Sequence, residues 1–379
     1  MEYIQSMLYE KDFQISYPSI NPGTEKSHIT FLEGKLDLSS IYQVGNPENT
    51  VRHFFVTDVT VASLECMQDF ISQFDGGVCG RDCLTVLGSG EPYKTIESVL
   101  SIITQALDAD FTRKDVFVGI GGGVICDLTA FAASIFKRGA IVELVPTTLL
   151  AMVDASIGGK TGCDYQSYKN MIGTFFPASK LYYYPEFIQS LPDNQYNSGL
   201  AEAFKTALLF DKELYDIFKN ESEKLNRRDR EILSIVINKS VRAKASVVEK
   251  DFTEQGIRAF LNLGHTFGHA LESVAGLGKI THGAAVAWGI GRAVTLSFKK
   301  EYCPKAFMDE IYDVLKLYGW DTSPVPSVIC GDEAGERLVS VMHKDKKNLS
   351  GKVRIIIQKG LQNTSIEEVS DTELLSVLK

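Results

Sequence analysis

The sequence lacks several features that would assign it to other classes of protein. It has no apolar run of the roughly 18 to 20 residues that a membrane-spanning helix needs. Its seven cysteines are odd in number and include no C-x-x-C pair, which favours free thiols in a reducing compartment over a disulfide framework. The net charge of −9 argues against nucleic acid as a partner, because a phosphate backbone requires basic surface.

The N-terminal segment MEYIQSMLYEKDF also lacks the pattern of a secretory signal, since it has acidic residues and no apolar core after basic ones. We therefore expect a soluble, cytoplasmic protein. The chain has 379 residues, of which 44% are apolar and 23% charged, as in ordinary globular proteins. That length is sufficient for two domains, each with its own core.

The first half of the chain alternates strand-like and helix-like segments. Strand-like runs at 29–37, 51–57, 83–88 and 116–120 are separated by segments with helical periodicity. This alternation predicts a parallel sheet with helices on its faces. Asp58 directly follows the second run, at the end of a strand where α/β folds place ligands.

Three consecutive glycines, Gly121, Gly122 and Gly123, stand between the apolar strand 116–120 and a predicted helix. Glycines in this position expose backbone N–H groups at the positive end of the helix dipole, where pyrophosphate binds well. A tight turn without a ligand is the alternative. The triplet also departs from the common G-x-G-x-x-G pattern.

A polar stretch follows that contains Asp154, Lys160 and the pair Lys169-Asn170 among glycines and threonines. Its composition suits either anion binding or a solvated surface loop. From about Leu191-Pro192 onward the strand–helix alternation ends, and long periodic segments predict a mostly helical second domain. We place the domains at 1–190 and 191–379. A β-like run at 352–357 is expected to form a small ribbon or to rejoin the core.

The segment 258–282 contains three of the six histidines in the chain. Four polar side chains there are spaced four, three and four residues apart, which predicts one stripe on an α-helix: Arg258, Asn262, His265 and His269. Gly264 and Gly268, also four apart, would let another backbone approach closely. Two imidazoles one helical turn apart, with His282 nearby, are typical of a divalent metal site. The alternative is core histidines that bond to backbone groups.

Glu202 and Lys205 are three residues apart on a predicted helix, so both can face the same side. Glu202 would complete a carboxylate-plus-two-histidine site with positions left open for substrate, and from spacing alone the histidine pair would be His265 and His269. An ordinary surface glutamate is the alternative. Lys244 adds a further cationic group.

Several motifs follow one another in the order GEPYK, GGGVICD, KRGAIVELVPTTLLAMVDASIGGKTG, KNMIG, GLAEAFK, NLGHTFGHALE, THGAAVAWG and HKDKKNLSGKV. In this order, from about Glu91 to Lys352, they resemble the dehydroquinate synthase family within the sugar phosphate cyclases. The resemblance implies an α/β N-terminal Rossmann-like NAD-binding domain and a mostly α-helical C-terminal domain, with the active site between them. It also implies a homodimer and one divalent metal, Zn²⁺ or Co²⁺.

The resemblance assigns roles residue by residue. It implies that the metal ligands are Glu202, His265 and His282, while His269 handles protons, which replaces the ligand pair taken from spacing. The implied NAD positions are Asp58, Glu91, Lys94, Gly121, Gly122, Gly123, Asp127, Thr147, Thr148 and Lys169. The implied substrate positions are Asp154, Lys160, Asn170, Lys205, Lys244, Arg258, Asn262 and Lys347 or its neighbour Lys346. Arg138 matches an arginine that reaches the phosphate subsite of the partner subunit.

The implied reaction converts 3-deoxy-D-arabino-heptulosonate 7-phosphate to 3-dehydroquinate and phosphate, a step of the shikimate pathway to chorismate and the aromatic amino acids. Transient oxidation by NAD⁺ makes a neighbouring C–H acidic enough for phosphate to leave, and NADH then returns the hydride. The alternatives are a cyclase for another sugar phosphate, a metal-dependent polyol dehydrogenase, and a relative that binds NAD or sugar phosphate without turnover.

The chain departs from the family pattern at several positions. Thr60 replaces an asparagine, Cys126 a glycine, Ala284 a glutamate, and Asn194-Gln195 an Arg-Glu pair, and the segment before Asn170 also differs. Most of these positions lie near the cofactor or behind the metal ligands, where outer groups tune affinity. We expect them to affect cofactor affinity more than the type of reaction.

Overall fold

The computed structural model describes residues 10–18, 25–166, 168–276, 278–329, 331, 333–345 and 352–379. They fall into two compact units, 10–191 with 244–253, and 192–243 with 254–379. The short segment Lys244–Thr253, expected in the helical domain, belongs to the first unit by its contacts.

The first unit is built on an eight-stranded sheet with the order β1-β2-β10-β7-β6-β3-β5-β4. The strands are β1 Asp12–Ser16, β2 Lys26–Phe31, β3 His53–Asp58, β4 Val78–Cys79, β5 Asp82–Leu87, β6 Val116–Gly121, β7 Ile141–Pro146 and β10 Lys180–Tyr183. Central strands such as β3 and β6 are buried along their whole length, as expected where helices cover both faces of a parallel sheet.

The helices of this unit lie between those strands. They are α1 Leu38–Tyr42, α2 Val59–Ala62, α3 Glu65–Ile71, α4 Ile96–Asp108 and α5 Gly123–Ile135. The predicted alternation of strands and helices is therefore confirmed. The sheet is parallel through its centre, and antiparallel pairs stand at its two edges, where β1 pairs with β2 and β4 with β5.

The polar stretch after Asp154 is not a simple loop. Strands β8 Lys160–Tyr165 and β9 Tyr168–Phe175 form a separate antiparallel pair. Alternation of apolar and polar residues is weak here, and β9 is almost wholly exposed, so the sequence has no periodic signal for a strand. Just before it, Ala151–Ala155 forms a π-helical turn, a geometry frequent at functional sites.

The second unit is mostly helical, as predicted. Its helices are α6 Asp193–Phe210, α7 Lys212–Asn220, α8 Ser222–Asn226, α9 Arg230–Lys250 (whose last turns belong to the first unit), α10 His265–Ala275, α11 His282–Lys299, α12 Lys305–Leu317, α13 Ala334–Asp345 and α14 Asp371–Ser376. Strands β11 Val353–Gly360 and β12 Asn363–Val369 form the expected small ribbon.

No helix in the described ranges has the length and apolarity to cross a bilayer. Wherever a cysteine falls within those ranges, its thiol is free.

The predicted single α-helix from Arg258 to His269 is wrong. A 3₁₀ helix spans Ile257–Asn262, with Leu263 as its C-cap, and α10 is a separate helix that begins at His265. Gly264 between them has φ of +81°, in the left-handed region that interrupts a right-handed helix. The four polar side chains therefore do not form one helical stripe.

The expectation that Gly264 and Gly268 admit a close backbone is confirmed. A Cβ at Gly264 would lie 2.6 Å from the Val286 carbonyl oxygen, and one at Gly268 would lie 3.0 Å from that of Ala285. Both carbonyls belong to α11, so α10 and α11 pack backbone against backbone. Gly289 of α11 in turn contacts Gly264: a Cβ at Gly289 would lie only 2.1 Å from the Gly264 carbonyl oxygen.

We expect Gly289→Ala to destabilise the protein by about 1–3 kcal/mol or more, because the added methyl group overlaps a backbone atom that no side-chain movement relieves. Gly291→Ala in the same helix is the matched control, since its Cβ would stand 3.4 Å from a Leu315 methyl group. That change should be neutral or stabilising, as alanine favours a helix interior by about 1 kcal/mol over glycine. Chemical denaturation of both variants, followed by circular dichroism, tests this; equal midpoints would contradict it.

Candidate metal centre and cofactor site

Glu202 lies in the middle of α6 and is 1% exposed. Its Oε2 accepts a hydrogen bond from the Lys205 ammonium one turn along the same helix. Its other oxygen, Oε1, is buried and has no hydrogen-bond partner among the described residues. An ionised oxygen in that position costs free energy unless a positive group faces it.

Two imidazoles face this oxygen. The Nε2 atoms of His265 and His282 lie 3.9 Å and 3.6 Å from Glu202 Oε1. The opposite ring nitrogens are already engaged, since Nδ1 of His265 lies 3.2 Å from the Leu263 carbonyl oxygen and Nδ1 of His282 lies 3.2 Å from Glu272 Oε2. Both acceptors require a proton on Nδ1, which leaves the Nε2 lone pairs pointing toward Glu202.

His269 belongs to the same cluster. It lies one turn after His265 in α10, and the three imidazoles His265, His269 and His282 offer nitrogen atoms that all lie within 4.8 Å of one another. The ring centres of His265 and His269 are 5.3 Å apart. Geometry alone therefore brings together four candidate donors, including the carboxylate, of which the resemblance names three as ligands.

The electrostatic environment of the two facing imidazoles differs. Burial and the nearby Lys205 ammonium lower the pKa of His265 well below its usual value, so this ring is neutral. Burial also opposes protonation of His282, but the hydrogen bond to Glu272 and the charge of Glu202 outweigh it and raise its pKa. Two carboxylates, Glu272 and Glu202, therefore favour positive charge at His282, and the Lys205 ammonium opposes it.

The donor set fits a divalent metal ion. Metal–ligand bonds of about 2.0–2.2 Å in tetrahedral geometry separate neighbouring donor atoms by roughly 3.4 Å. The separations of 3.6 and 3.9 Å around Glu202 Oε1 are close to that value. Two imidazoles, together with a carboxylate whose buried Oε1 has no hydrogen-bond partner among the described residues, are ligands that suit Zn²⁺ or Co²⁺.

Other predicted substrate residues of this unit lie in the 3₁₀ helix that precedes α10. Arg258 is 2% exposed, and the Asn262 amide donates to Glu254 Oε1 at 2.6 Å. Glu254 was not anticipated from the sequence, and its spacing eight residues before Asn262 matches no single helical face. Lys347, and Lys346 beside it, lie outside the described residues.

In the first unit the three glycines join β6 to α5. Gly121 ends the strand, Gly122 caps the helix, and Gly123 is its first residue. The helix has no side-chain cap among the described residues, so its first N–H groups are open to an anion. A Cβ on Gly122 would stand 3.1 Å from a methyl carbon of Thr148. The predicted arrangement of strand, glycines and helix is confirmed, and it fits a pyrophosphate group.

Several polar residues predicted to contact NAD or substrate bond to one another in this unit. The Lys94 ammonium lies 2.6 Å from Asp127 Oδ2 and donates to Asn170 Oδ1 at 2.6 Å. Burial opposes the charge on Lys94, but Asp127 more than compensates and raises its pKa, so the ammonium is retained. Lys169 lies 3.5 Å from Glu91 Oε1. Lys169 and Asn170 of strand β9 thereby contact the segment that carries the GEPYK motif.

Asp58 is buried at the end of β3, and its Oδ1 accepts three hydrogen bonds. The donors are the backbone N–H groups of Thr60 and Val61, at 2.8 and 3.1 Å, and the Ser89 hydroxyl at 2.7 Å. The hydroxyl of Thr60 lies a further 2.8 Å from Ser89 Oγ. This network holds the carboxylate in one orientation. Ser89 has no helical or strand spacing to Asp58 in the sequence, so only the sheet brings them together.

The remaining predicted residues of this unit lie in the turn after β7, in the π-helical turn, at the start of β8 and after the end of α5. The Thr147 N–H donates to the Gly121 carbonyl at 2.9 Å, and Thr148 Oγ1 accepts from Ala151 N at 3.1 Å. Asp154, in the π-helical turn, bonds the Lys244 ammonium at 2.6 Å. Lys160 and Arg138 are exposed and belong to the first unit.

Comparison with solved structures defines the class of fold. The chain is similar to 2-deoxy-scyllo-inosose synthase, solved with carbaglucose-6-phosphate, NAD⁺ and Co²⁺, with a TM-score of 0.81 and 22% identity over 97% of this chain and 99% of that one. It is also similar to the 2-epi-5-epi-valiolone synthase ValA from Streptomyces hygroscopicus subsp. jinggangensis, solved with NAD⁺ and Zn²⁺, with a TM-score of 0.80 and 24% identity over 98% and 97% of the chains. The fold is that of the sugar phosphate cyclases.

Comparison of sequences narrows the class to one family. Residues 84–198 match the 3-dehydroquinate synthase N-terminal model, and residues 199–348 match the C-terminal one. The 3-dehydroquinate synthase of Thermodesulfovibrio yellowstonii is 37% identical over 77% of this chain and 80% of its own length. That of Shewanella piezotolerans is 36% identical over 85% and 88%. The chain belongs to the 3-dehydroquinate synthase family.

If Glu202, His265 and His282 share a metal ion, Glu202→Gln should weaken Co²⁺ binding by more than about 100-fold, because loss of an outer-shell partner alone typically costs 10–100-fold. Isothermal titration of the purified protein with Co²⁺ measures the affinity, and circular dichroism checks the fold. Glu213→Gln removes a carboxylate from α7 of the same unit, where it pairs with Lys239, and serves as the control. Equal affinities in the two variants would remove Glu202 from the ligand set.

Proposed function

We propose that the protein is a lyase that converts 3-deoxy-D-arabino-heptulosonate 7-phosphate to 3-dehydroquinate and inorganic phosphate, with NAD⁺ and one divalent metal ion, Zn²⁺ or Co²⁺. Family membership together with one local observation supports this: the buried Glu202 Oε1, which has no hydrogen-bond partner in the described part of the chain, faces two imidazole Nε2 atoms. A shikimate-pathway enzyme of this kind would act in the cytoplasm, in keeping with free thiols at the described cysteines.

The glycines between β6 and α5 would hold the pyrophosphate of NAD, and Asp58 would accept hydrogen bonds from ribose hydroxyls. NAD⁺, when bound, accepts a hydride from the substrate and later returns it, so that it is unchanged after turnover. Ser89 and the backbone at Thr60 and Val61 fix Asp58 Oδ1, which leaves Oδ2 for the ribose. Lys94 stays charged beside Asp127 and holds Asn170 in place.

The three ligands of the metal centre would be Glu202, His265 and His282. A bound divalent ion supplies Lewis acidity, which acidifies a substrate hydroxyl. Lys205 binds Glu202 Oε2 and thereby keeps the carboxylate turned so that Oε1 faces both imidazoles. His269, which stands beside them without being needed as a ligand, would move protons to and from the substrate.

The anionic groups of the substrate would be bound by lysine and arginine side chains. Lys160, Lys205, Lys244, Arg258 and Lys347 are the proposed contacts. Arg258 suits a carboxylate or phosphate because its guanidinium donates two parallel hydrogen bonds. Asp154 holds the Lys244 ammonium from the π-helical turn, so that this side chain is oriented before substrate arrives. Asn262, held by Glu254, would contact a substrate hydroxyl.

Purified protein supplied with NAD⁺ and Co²⁺ should release inorganic phosphate from 3-deoxy-D-arabino-heptulosonate 7-phosphate without net accumulation of NADH. A chelator should abolish release, and added Co²⁺ should restore it, because the metal centre is required. Lys160→Ala should lose activity while it keeps Co²⁺ affinity, whereas Lys316→Ala, which removes an exposed lysine of α12, should keep both activity and Co²⁺ affinity.

A panel of other phosphorylated aldoses and ketoses separates the alternatives. Faster release of phosphate from one of them would assign the chain to a different cyclase activity. Net NADH formation with glycerol-like polyols would indicate a dehydrogenase. No release from any substrate, with metal and NAD⁺ both bound, would leave a binding protein without turnover.

We also propose a homodimer in which Arg138 reaches the phosphate subsite of the partner subunit. The resemblance supplies the idea, and the local structure supports it. Arg138 ends the 3₁₀ turn Phe136–Arg138 with φ of +69°, and its side chain is exposed. A non-glycine residue in the left-handed region is uncommon, and a strained backbone of this kind is frequent at functional sites.

Subunit complementation tests this arrangement. Arg138→Ala and Lys205→Ala should each abolish phosphate release as separate homodimers. After the two are mixed and allowed to exchange subunits, activity should return, because one site of the heterodimer receives Arg138 from one chain and Lys205 from the other. Inactive mixtures that contain verified heterodimers would show that Arg138 acts within its own subunit.

A further inference from the structure

Glu272 is a largely buried carboxylate to which no role has been assigned so far. It lies in α10 and its side chain is 16% exposed, with Oε2 3.2 Å from His282 Nδ1. His282 stands at the first position of the next helix, α11. Glu272 follows His269 by three residues and His265 by seven, so all three side chains lie on one face of α10.

Several contacts around His282 fix its backbone. Thr281 caps α11 by accepting from Ala284 N at 3.4 Å, and Ser198 Oγ accepts from Gly283 N at 2.9 Å. A Cβ at Gly283 would lie 2.0 Å from the Ser198 carbonyl oxygen, so the end of α11 is pressed against α6. The imidazole itself packs against the rings of His265 and His269, and its Nδ1 donates to Glu272, which sets the direction in which Nε2 points.

The two facing imidazoles are held by different acceptors. His265 Nδ1 meets a neutral backbone carbonyl, that of Leu263, whereas His282 Nδ1 meets a carboxylate. A carboxylate acceptor fixes the tautomer as a carbonyl does, and it also makes the opposite nitrogen a stronger donor to a metal. His282 is the more exposed of the two side chains, at 33% against 14%, and so gains more from being held.

We infer that Glu272 is a positioning residue of the metal centre: its carboxylate holds the His282 ring with Nδ1 protonated, so that Nε2 faces Glu202 Oε1 and binds the cation. This inference rests on the proposed metal site and adds to it a residue that acts through His282 and does not itself touch the ion. Both the orientation of the ring and the negative charge of Glu272 contribute.

A double-mutant cycle with Co²⁺ alone as the probe tests the inference on the full-length protein. Glu272→Ala should lower Co²⁺ affinity by 10- to 100-fold, as measured by competition with a chelator, and should change the visible absorption of the Co²⁺-loaded protein. In a His282→Ala background the same substitution should have no further effect, because Glu272 would no longer have a ligand to position. Glu310→Gln, a carboxylate of α12 bonded to Tyr215 and Lys219, is the control and should match the parent.

Each outcome bears on a separate claim. Parent-like Co²⁺ affinity in Glu272→Ala, or an equal loss in both backgrounds, overturns the positioning role while the metal site stands. If His282→Ala itself leaves Co²⁺ affinity unchanged, the proposed ligand set fails and the positioning role fails with it. Should Glu272→Ala not fold, Glu272→Met keeps a similar side-chain volume, lacks the carboxylate acceptor and decides the matter: a loss of affinity without a change in unfolding midpoint supports the inference, and parent-like affinity overturns it.

Discussion

The buried carboxylate of Glu202 is the constraint on which the second unit depends. One of its oxygens is paired with Lys205 on the same helix, and the other faces two imidazoles from two further helices. A carboxylate this deeply buried destabilises the fold unless positive charge compensates it, so three helices must meet around it in one arrangement. The need for positive charge makes the site without a cation unfavourable in free energy, and the same need makes the site bind a cation in preference to a neutral group.

The first unit has a comparable logic, built on backbone dipoles in place of side-chain ligands. Its parallel strands end at one edge of the sheet, where Asp58 and the glycines of the β6–α5 junction are found. There the open N–H groups of a helix attract negative charge, while Asp58 is fixed by three donors. Affinity for a dinucleotide can thus arise without a cluster of exposed cations in an acidic protein.

Much of this could be predicted from the sequence because the signals are local. Strand and helix periods located the sheet and the helical unit, and the Gly264/Gly268 spacing predicted the close approach of another backbone. Prediction failed where long-range contacts decide. The stripe from Arg258 to His269 satisfied helical spacing, but a positive φ at Gly264 broke it, and no spacing rule distinguishes a helical glycine from a left-handed one. The β8–β9 pair likewise has too little alternation to be recognised as strands.

Glu272 illustrates a partial signal. It shares a face with two histidines, which the sequence displays, but its partner His282 comes from a different helix, and only the fold sets that distance. Ser89 and Asp58 are a similar case across neighbouring strands. Residues that support a site are harder to find than the ligands themselves, because they require the ligands to be placed first.

The direct contact between the backbones of α10 and α11 has a consequence for how this chain tolerates change. Where two helices are separated by a layer of leucines or valines, substitutions in that layer shift their axes by fractions of an ångström and the neighbours adapt. Here no layer of side chains separates the two helices at Gly264 and Gly289. The distance between the His265 and His282 rings is therefore set by main-chain atoms. Substitutions of side chains elsewhere in the core can accumulate over many generations without changing that distance.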